Sequence, residues 1–183
     1  MITEQDAIEY FRSIYAARYA DDIAAAEFHI STLMAGGSSE VKAQACWHAA
    51  QIKEQLGDFR GAQERYIEGL NYRPGGTFGR HDLQQLIGRT CEKLGEHDEA
   101  IQWYRRSMKT CLASEDFGCL ALLPYLKCGG GDIYSEDVPM VKTLVERSWR
   151  LLAVPGQPDL NDLARAIRAI EQFIADEEGK LTK

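Results

Sequence analysis

The sequence of 183 residues lacks the features that mark several large protein classes. Its five cysteines include no Cys-x-x-Cys pair, which argues against a zinc knuckle or a redox motif. The longest apolar run, near residues 119–126, is far shorter than the roughly 20 residues that a membrane-spanning helix requires. The first residues show no basic segment followed by an apolar one, so we expect no secretory signal.

Clusters of basic residues are also missing, and the net charge is −7. This balance argues against nonspecific binding to nucleic acid or to anionic membranes. An odd number of cysteines without a secretory signal indicates free thiols, and we therefore predict a cytoplasmic protein. The four histidines show no metal-ligand spacing, so we expect each to lie at the surface or at a helix end.

No motif in the chain predicts catalysis. The glycine-rich segment 74–80 lacks the Gly-Lys-Ser/Thr ending of a phosphate loop and follows no strand, which excludes a nucleotide site of that kind. None of the cysteines has the local sequence of a nucleophile. We therefore expect no catalytic residue, no metal and no cofactor.

Proline is scarce, and no segment alternates polar and apolar residues as a half-buried strand would. The chain therefore predicts an all-α protein with nine helices in a single domain over residues 1–183. Thr3, Asp22, Ser38 and Asp58 are suited to capping helix starts. The helices form four predicted hairpins and a capping helix, at about residues 3–36, 39–74, 81–112, 115–153 and 159–178.

An internal repeat is the most informative feature of the sequence. Residues 45–74 and 84–112 each contain Leu-Gly, then Ala five residues after the glycine and Tyr four residues after the alanine. In the first segment these residues are Leu56, Gly57, Ala62 and Tyr66, and in the second they are Leu94, Gly95, Ala100 and Tyr104. Repeats of this length predict a stack of similar helical hairpins.

These two segments resemble tetratricopeptide repeats, whose unit carries glycine at the hairpin turn, alanine early in the second helix and an aromatic residue one turn later. Gly69 and Ser107 depart from this pattern, since the family usually has alanine there. The spacing of 38 residues between Gly57 and Gly95 exceeds the family's unit by four, and residues 77–80 are interpreted as the insertion. The first hairpin matches less well because Asp21 takes the place of the turn glycine.

The resemblance implies an α-solenoid, a superhelical array of antiparallel hairpins whose first helices line a concave groove for a peptide or helix of a partner protein. It also implies a noncatalytic adaptor or chaperone-like role. The side chains that this resemblance places in the groove as candidate contacts are Trp47, His48, Gln51, Gln85, Arg89 and Lys93. A competing interpretation is that Trp47 packs against the preceding hairpin and the polar residues are only solvated.

Three other roles stay open at this stage. The chain also has the size and charge of a secretion-system chaperone. Alternatively, it is a regulatory subunit that binds its partner through its outer face. An enzyme with a pocket in the helical array is the third.

The last predicted helix has apolar residues at alternating spacings of three and four, which is typical of a capping helix or of a homodimer contact. Those residues are Leu160, Leu163, Ile167, Ile170 and Ile174.

Overall fold

A computed structural model describes residues 2–72, 79–114 and 135–152, with side chains as far as residue 147 in the last range, and eight isolated positions. Those positions are 124, 125, 128, 168, 171, 172, 174 and 175. The helices are α1 (Glu4–Tyr19), α2 (Ile23–Gly36), α3 (Ser39–Gln55), α4 (Phe59–Asn71), α5 (Arg80–Lys93), α6 (His97–Ala113) and α7 (Val138–Leu152). All regular structure in the described part of the chain is helical, which confirms the predicted all-α helical array.

The chain divides into two compact units, residues 1–96 and 97–183. This division does not test the single-domain expectation, which stays a prediction. In the first unit, α1 packs against α2 and α3 against α4, as hairpins do. The α2–α3 and α4–α5 pairs are also in contact, so each hairpin buries its apolar face against the next helix in the chain.

The helix starts follow the capping residues that the sequence predicts. Thr3 and Asp6 form a reciprocal capping box, in which each side chain accepts a hydrogen bond of 3.1 Å from the other residue's backbone N–H. The side chains of Asp22, Ser38 and Asp58 each accept a hydrogen bond from a backbone N–H three residues later. These bonds satisfy donors that a helix start leaves unpaired.

Three turns between helices in the described part of the chain share one backbone conformation. Gly57 and Gly95 have φ angles of +75° and +77°, and Asp21 has +58°. In each turn this residue donates to the carbonyl three residues before it, and the next residue donates to the carbonyl five residues before itself. Asp21 therefore takes the position of the turn glycine, which extends the repeat to the first hairpin. Aspartate tolerates the left-handed region better than most residues.

Gly57→Ala should lower the free energy of unfolding by about 1 kcal/mol, because alanine strains the left-handed backbone. A Cβ atom at Gly57 would meet nothing within 4 Å, so packing adds no cost. Gly57→Asp should cost less, since Asp21 already fills the same position. Urea denaturation of both variants tests this order. Equal stability of Gly57→Ala and the wild type would contradict the shared turn.

Small residues allow the helices of the first unit to approach closely. Ala26 and Ala62, which follow the first two turns by five residues, are both fully buried. Tyr66 is fully buried one turn later, and Ile30 takes the matching position in the first hairpin with 7% exposure. The burial of these side chains agrees with a repeated packing arrangement rather than a chance similarity of sequence.

The glycine at position 69, where the family usually has alanine, has a packing reason. A Cβ atom there would lie 3.2 Å from a methyl group of Leu83 and 3.3 Å from Cβ of Cys46. Both distances are tighter than ordinary van der Waals contacts. Because α4 packs this closely against both α3 and α5, glycine fits better than alanine at position 69.

In the second unit, α6 packs against α7. The side chains of α6 with no exposed area include those of Ala100, Tyr104, Met108 and Cys111. Asp137 is only 2% exposed and lies in the 3₁₀ turn Ser135–Asp137 that precedes α7. It accepts hydrogen bonds from Tyr125 (2.7 Å) and from Nη2 of Arg105 (3.0 Å), so a buried carboxylate ties three segments together.

One predicted boundary is corrected. Arg80 is the first residue of α5 and not part of an insertion, and Gly79 caps that helix by donating its N–H to Asp82 at 2.8 Å. Within the predicted hairpin 115–153, the structure describes α7 from Val138, preceded by the 3₁₀ turn of residues 135–137. Most of the first half of that hairpin and most of the predicted capping helix lie outside the described residues.

Candidate functional site

The predicted groove belongs to α1, α3 and α5, the first helices of three successive hairpins, all in the first unit. We call its first part the α1–α3 groove. It is lined by Ile8, Phe11, Tyr15, Arg18 and Tyr19 of α1 and by Gln44, Gln51 and Gln55 of α3. One end encloses about 600 Å³ and the other about 280 Å³, and Tyr15 borders both. This is an open, elongated hollow rather than a closed cavity.

Apolar and aromatic side chains of α1 are exposed along this groove. The exposed fractions are 41% for Ile8, 42% for Tyr15 and 92% for Tyr19. Their spacing of seven and four residues places them on one face of the helix. Large apolar side chains that stay partly exposed beside a hollow are typical of a surface that receives a partner.

Amide groups form the opposite wall of the groove. The guanidinium group of Arg18 donates from Nε to the side-chain oxygen of Gln55 at 3.0 Å and from Nη1 to that of Gln51. These bonds hold both glutamine side chains in place and leave their NH₂ groups as donors. The groove therefore combines aromatic area with oriented polar groups, as peptide-binding surfaces do.

A second polar bridge joins α3 to α5. Nη2 of Arg89 contacts both carboxylate oxygens of Glu54, at 3.1 and 2.9 Å. The hydroxyl of the buried Tyr66 donates to the same carboxylate at 3.2 Å. Burial, and secondarily the charge of Glu54, raises the pKa of Tyr66. Arg89 is thus committed to a bridge within the array, and it offers a partner only its remaining N–H groups.

The other predicted contacts differ in exposure. Lys93 is exposed near the end of α5, whereas Gln51 and Gln85 are half-buried. Trp47 is also half-buried, and its ring lies 4.6 Å from that of His48, its neighbour on α3, centroid to centroid. This contact lies within α3, so the competing interpretation, in which Trp47 packs against the preceding hairpin, stays open.

The prediction that His48 contacts a partner is wrong for this structure, as is the expectation that every histidine lies at the surface. His48 has no exposed area, and neither ring nitrogen has a hydrogen-bond partner. Its ring packs among Phe11, Tyr15 and Trp47. The side chain points from α3 toward α1. A repeat pattern does not reveal this direction, because the pattern takes no account of the neighbouring helix.

Sequence reasoning missed the side chains of α1, in particular Tyr15, Arg18 and Tyr19. An apolar stripe along a helix ordinarily marks its buried face, so periodicity alone does not assign these side chains to a groove. The signal that distinguishes the groove was Asp21 at the turn, because it aligns α1 with α3 and α5 as the first helix of a repeat.

A separate hollow of about 380 Å³ lies on the other side of α3, between α2 and α4. Its apolar lining includes Ile30, Met34, Cys46 and Ala49, and Arg65 stands at its edge. Burial raises the pKa of the Cys46 thiol to about 12, so this thiol stays protonated and unreactive. The hollow offers space for an apolar side chain.

The four cysteines that the structure describes are free thiols, as predicted, and three of them are buried. No helix among the described residues has both the length and the apolar composition needed to cross a bilayer.

The chain was also compared with known proteins. The family model described as tetratricopeptide repeat matches residues 81–111, which span α5 and nearly all of α6. No curated protein matches the chain. Tetratricopeptide repeats are in general modules for protein–protein interaction. The resemblance predicted from the sequence is confirmed for this segment, and the chain carries a tetratricopeptide repeat at residues 81–111.

Proposed function

We propose that this chain is a noncatalytic adaptor or chaperone-like protein that holds a peptide or helix of a partner protein against α1, α3 and α5. The observation that carries the proposal is the exposed row of Ile8, Tyr15 and Tyr19 beside the amide wall of the α1–α3 groove. Aromatic side chains that are already held by a rigid helix lose little conformational freedom on binding. They are therefore effective anchors for a partner.

The side chains of this groove add to the candidate contacts that were predicted from the sequence. Gln51 belongs to its amide wall, while Gln85, Arg89 and Lys93 of α5 would contact the continuing partner segment. Trp47 would contribute through the part of its ring that is exposed. An extended peptide suits the glutamine NH₂ groups, which bind backbone carbonyls, and the tyrosine rings, which bind apolar side chains.

In the double variant Tyr15→Ala/Tyr19→Ala, the amount of partner retained should fall by a factor of about ten or more relative to the wild type. The reason is that each anchor residue contributes about 2 kcal/mol or more. The tagged chain is purified from its native cells, and the retained proteins are quantified by mass spectrometry. Phe28→Ala is the matched control, because Phe28 of α2 is 66% exposed and does not line the α1–α3 groove.

Phe28→Ala should retain the partner at the wild-type level. Tyr15→Ala also removes a ring packed on His48, so circular dichroism should first show that the double variant is folded at the temperature of the assay. Equal retention by the double variant and the wild type would overturn the proposed groove. An equal loss of retained partner in Phe28→Ala would mean that exposed apolar side chains in general, and not the groove, bind the partner.

A regulatory subunit that binds through its outer face is the second candidate, favoured by the hollow between α2 and α4. A photoreactive amino acid placed at Tyr19 or at Arg65 separates the two. Cross-linking of the partner from position 19 alone supports the α1–α3 groove, and cross-linking from position 65 alone supports the outer hollow. Action on a secretion substrate, a cytoplasmic location and a homodimer through the last helix stay predictions from the sequence.

A further inference from the structure

A buried histidine lies directly beneath the α1–α3 groove. His48 has no exposed area, and both of its ring nitrogens lack a hydrogen-bond partner. Leaving polar atoms buried without partners costs free energy, and the cost is much larger when the group carries a charge. The ring is therefore held in its neutral form by its surroundings.

The surroundings of the ring are aromatic and come from both helices. The ring centroid of His48 lies 4.9 Å from that of Tyr15, edge to face, and 5.4 Å from that of Phe11. Trp47 of α3 covers another side at 4.6 Å. Because Tyr15 and Phe11 also line the groove, the histidine packs against the inner side of the groove's own wall.

The charged groups near His48 do not favour a proton on it. From α1, the charge that acts on the ring is that of Arg18, a cation that lowers the pKa of His48, and the titratable phenol is that of Tyr15. Within α3, the residues one turn away are Gln44 and Gln51, which are uncharged. From α2, the adjoining core receives the apolar side chains of Ala26, Ile30 and Leu33, and the histidine of α2, His29, packs against Tyr10 of α1.

We infer that acid opens the α1–α3 groove through His48: a proton on its ring separates α1 from α3 and releases the bound segment of the partner. The release step rests on the proposed function, whereas the opening of α1 does not. Hydration of the charged ring requires that the contacts with Phe11 and Tyr15 break. Those contacts are part of the groove, so the binding surface is lost with them.

The pH range follows from linkage. Burial, with a smaller effect of Arg18, lowers the pKa of His48 from 6.5 to about 4. The open state therefore binds a proton more readily than the closed one. The stability that the neutral ring contributes is complete above pH 6.5, and it is lost as the pH falls from 6.5 to about 4.

Amide hydrogen exchange of the full chain at about pH 7 and about pH 5 tests the opening. After correction for intrinsic exchange rates, the opening constant of α1 should rise on the order of tenfold at the lower pH. His48→Leu should abolish this rise, since leucine does not titrate. His97→Gln, which removes an exposed histidine, should retain it. Equal α1 protection at both pH values, or a rise that persists in His48→Leu, would overturn the inference.

A direct titration keeps the inference testable if His48→Leu does not fold. The ring of His48 in the wild-type chain, followed by nuclear magnetic resonance, should titrate below about pH 5 together with signals of α1. Titration near 6.5 with α1 unchanged would overturn it. Retained partner should dissociate over the same range. Acid opening of α1 with the partner still retained would support the opening and leave only the proposed function in error.

Discussion

Tyr66→Ala should lower the free energy of unfolding by about 3–5 kcal/mol, the usual cost of removing a large buried aromatic side chain. Tyr66 has no exposed area and occupies the repeat position that follows Ala62 by one turn of α4. Its removal leaves a cavity that the rigid hairpins fill only partly. The hydroxyl's hydrogen bond to Glu54, at 3.2 Å, is lost as well.

Two further substitutions separate these effects. Tyr66→Phe removes only the hydroxyl and should cost about 0.5–1.5 kcal/mol. Ile67→Ala is the matched control on the same helix, because Ile67 is 39% exposed, and it should cost at most about 1 kcal/mol. Urea denaturation followed by circular dichroism measures all three. If Tyr66→Ala were as stable as Ile67→Ala, the equivalence of Tyr66 and Tyr104 in the repeat would be wrong.

Asp137→Ala should destabilise the second unit by about 3 kcal/mol, because breaking a buried ion pair leaves the other charge without its main partner. The side chain of Asp137 is 3% exposed and that of Arg105 is 14% exposed. The same change removes the acceptor of the Tyr125 hydroxyl. Glu136 also pairs with Arg105, so we expect the lower end of the range for buried pairs, about 3–5 kcal/mol.

Glu136→Ala is the matched control for Asp137→Ala. Its side chain contacts the same Arg105 but is 67% exposed, and exposed ion pairs contribute at most about 1 kcal/mol. Thermal unfolding of the two variants should differ clearly, and α6 amides should lose exchange protection only in Asp137→Ala. Equal destabilisation by the two changes would show that the buried position of Asp137 is unimportant.

The part of the site that followed from sequence depends on local rules. Gly57 and Gly95 end their helices in the left-handed conformation, and this requirement is visible in any sequence because few residues tolerate it. The capping role of Asp58 is equally local, since its side chain binds a backbone N–H three residues away. These signals identified the second and third hairpins, and through them the side of the array that forms the groove.

The errors arose where burial depends on residues distant in the sequence. His48 and Gln51 lie one turn apart on α3, and the repeat pattern assigned both to the groove. Phe11 and Tyr15, more than 30 residues earlier, cover His48 completely, whereas Gln51 stays within reach of a partner. Tyr19 shows the opposite effect, since its spacing puts it on the same face of α1 as Tyr15 and yet the side chain is 92% exposed.

By itself, the amino-acid sequence determined the helices, the turns and the repeat, because each depends on contacts within a few residues of the chain. Only the tertiary structure decided which side of α1 faces the groove and which ring of α3 lies beneath it. The physical reason is that exposure is a property of two packed helices together. Periodicity shows which residues share a face of one helix, but the neighbouring helix decides whether that face is covered.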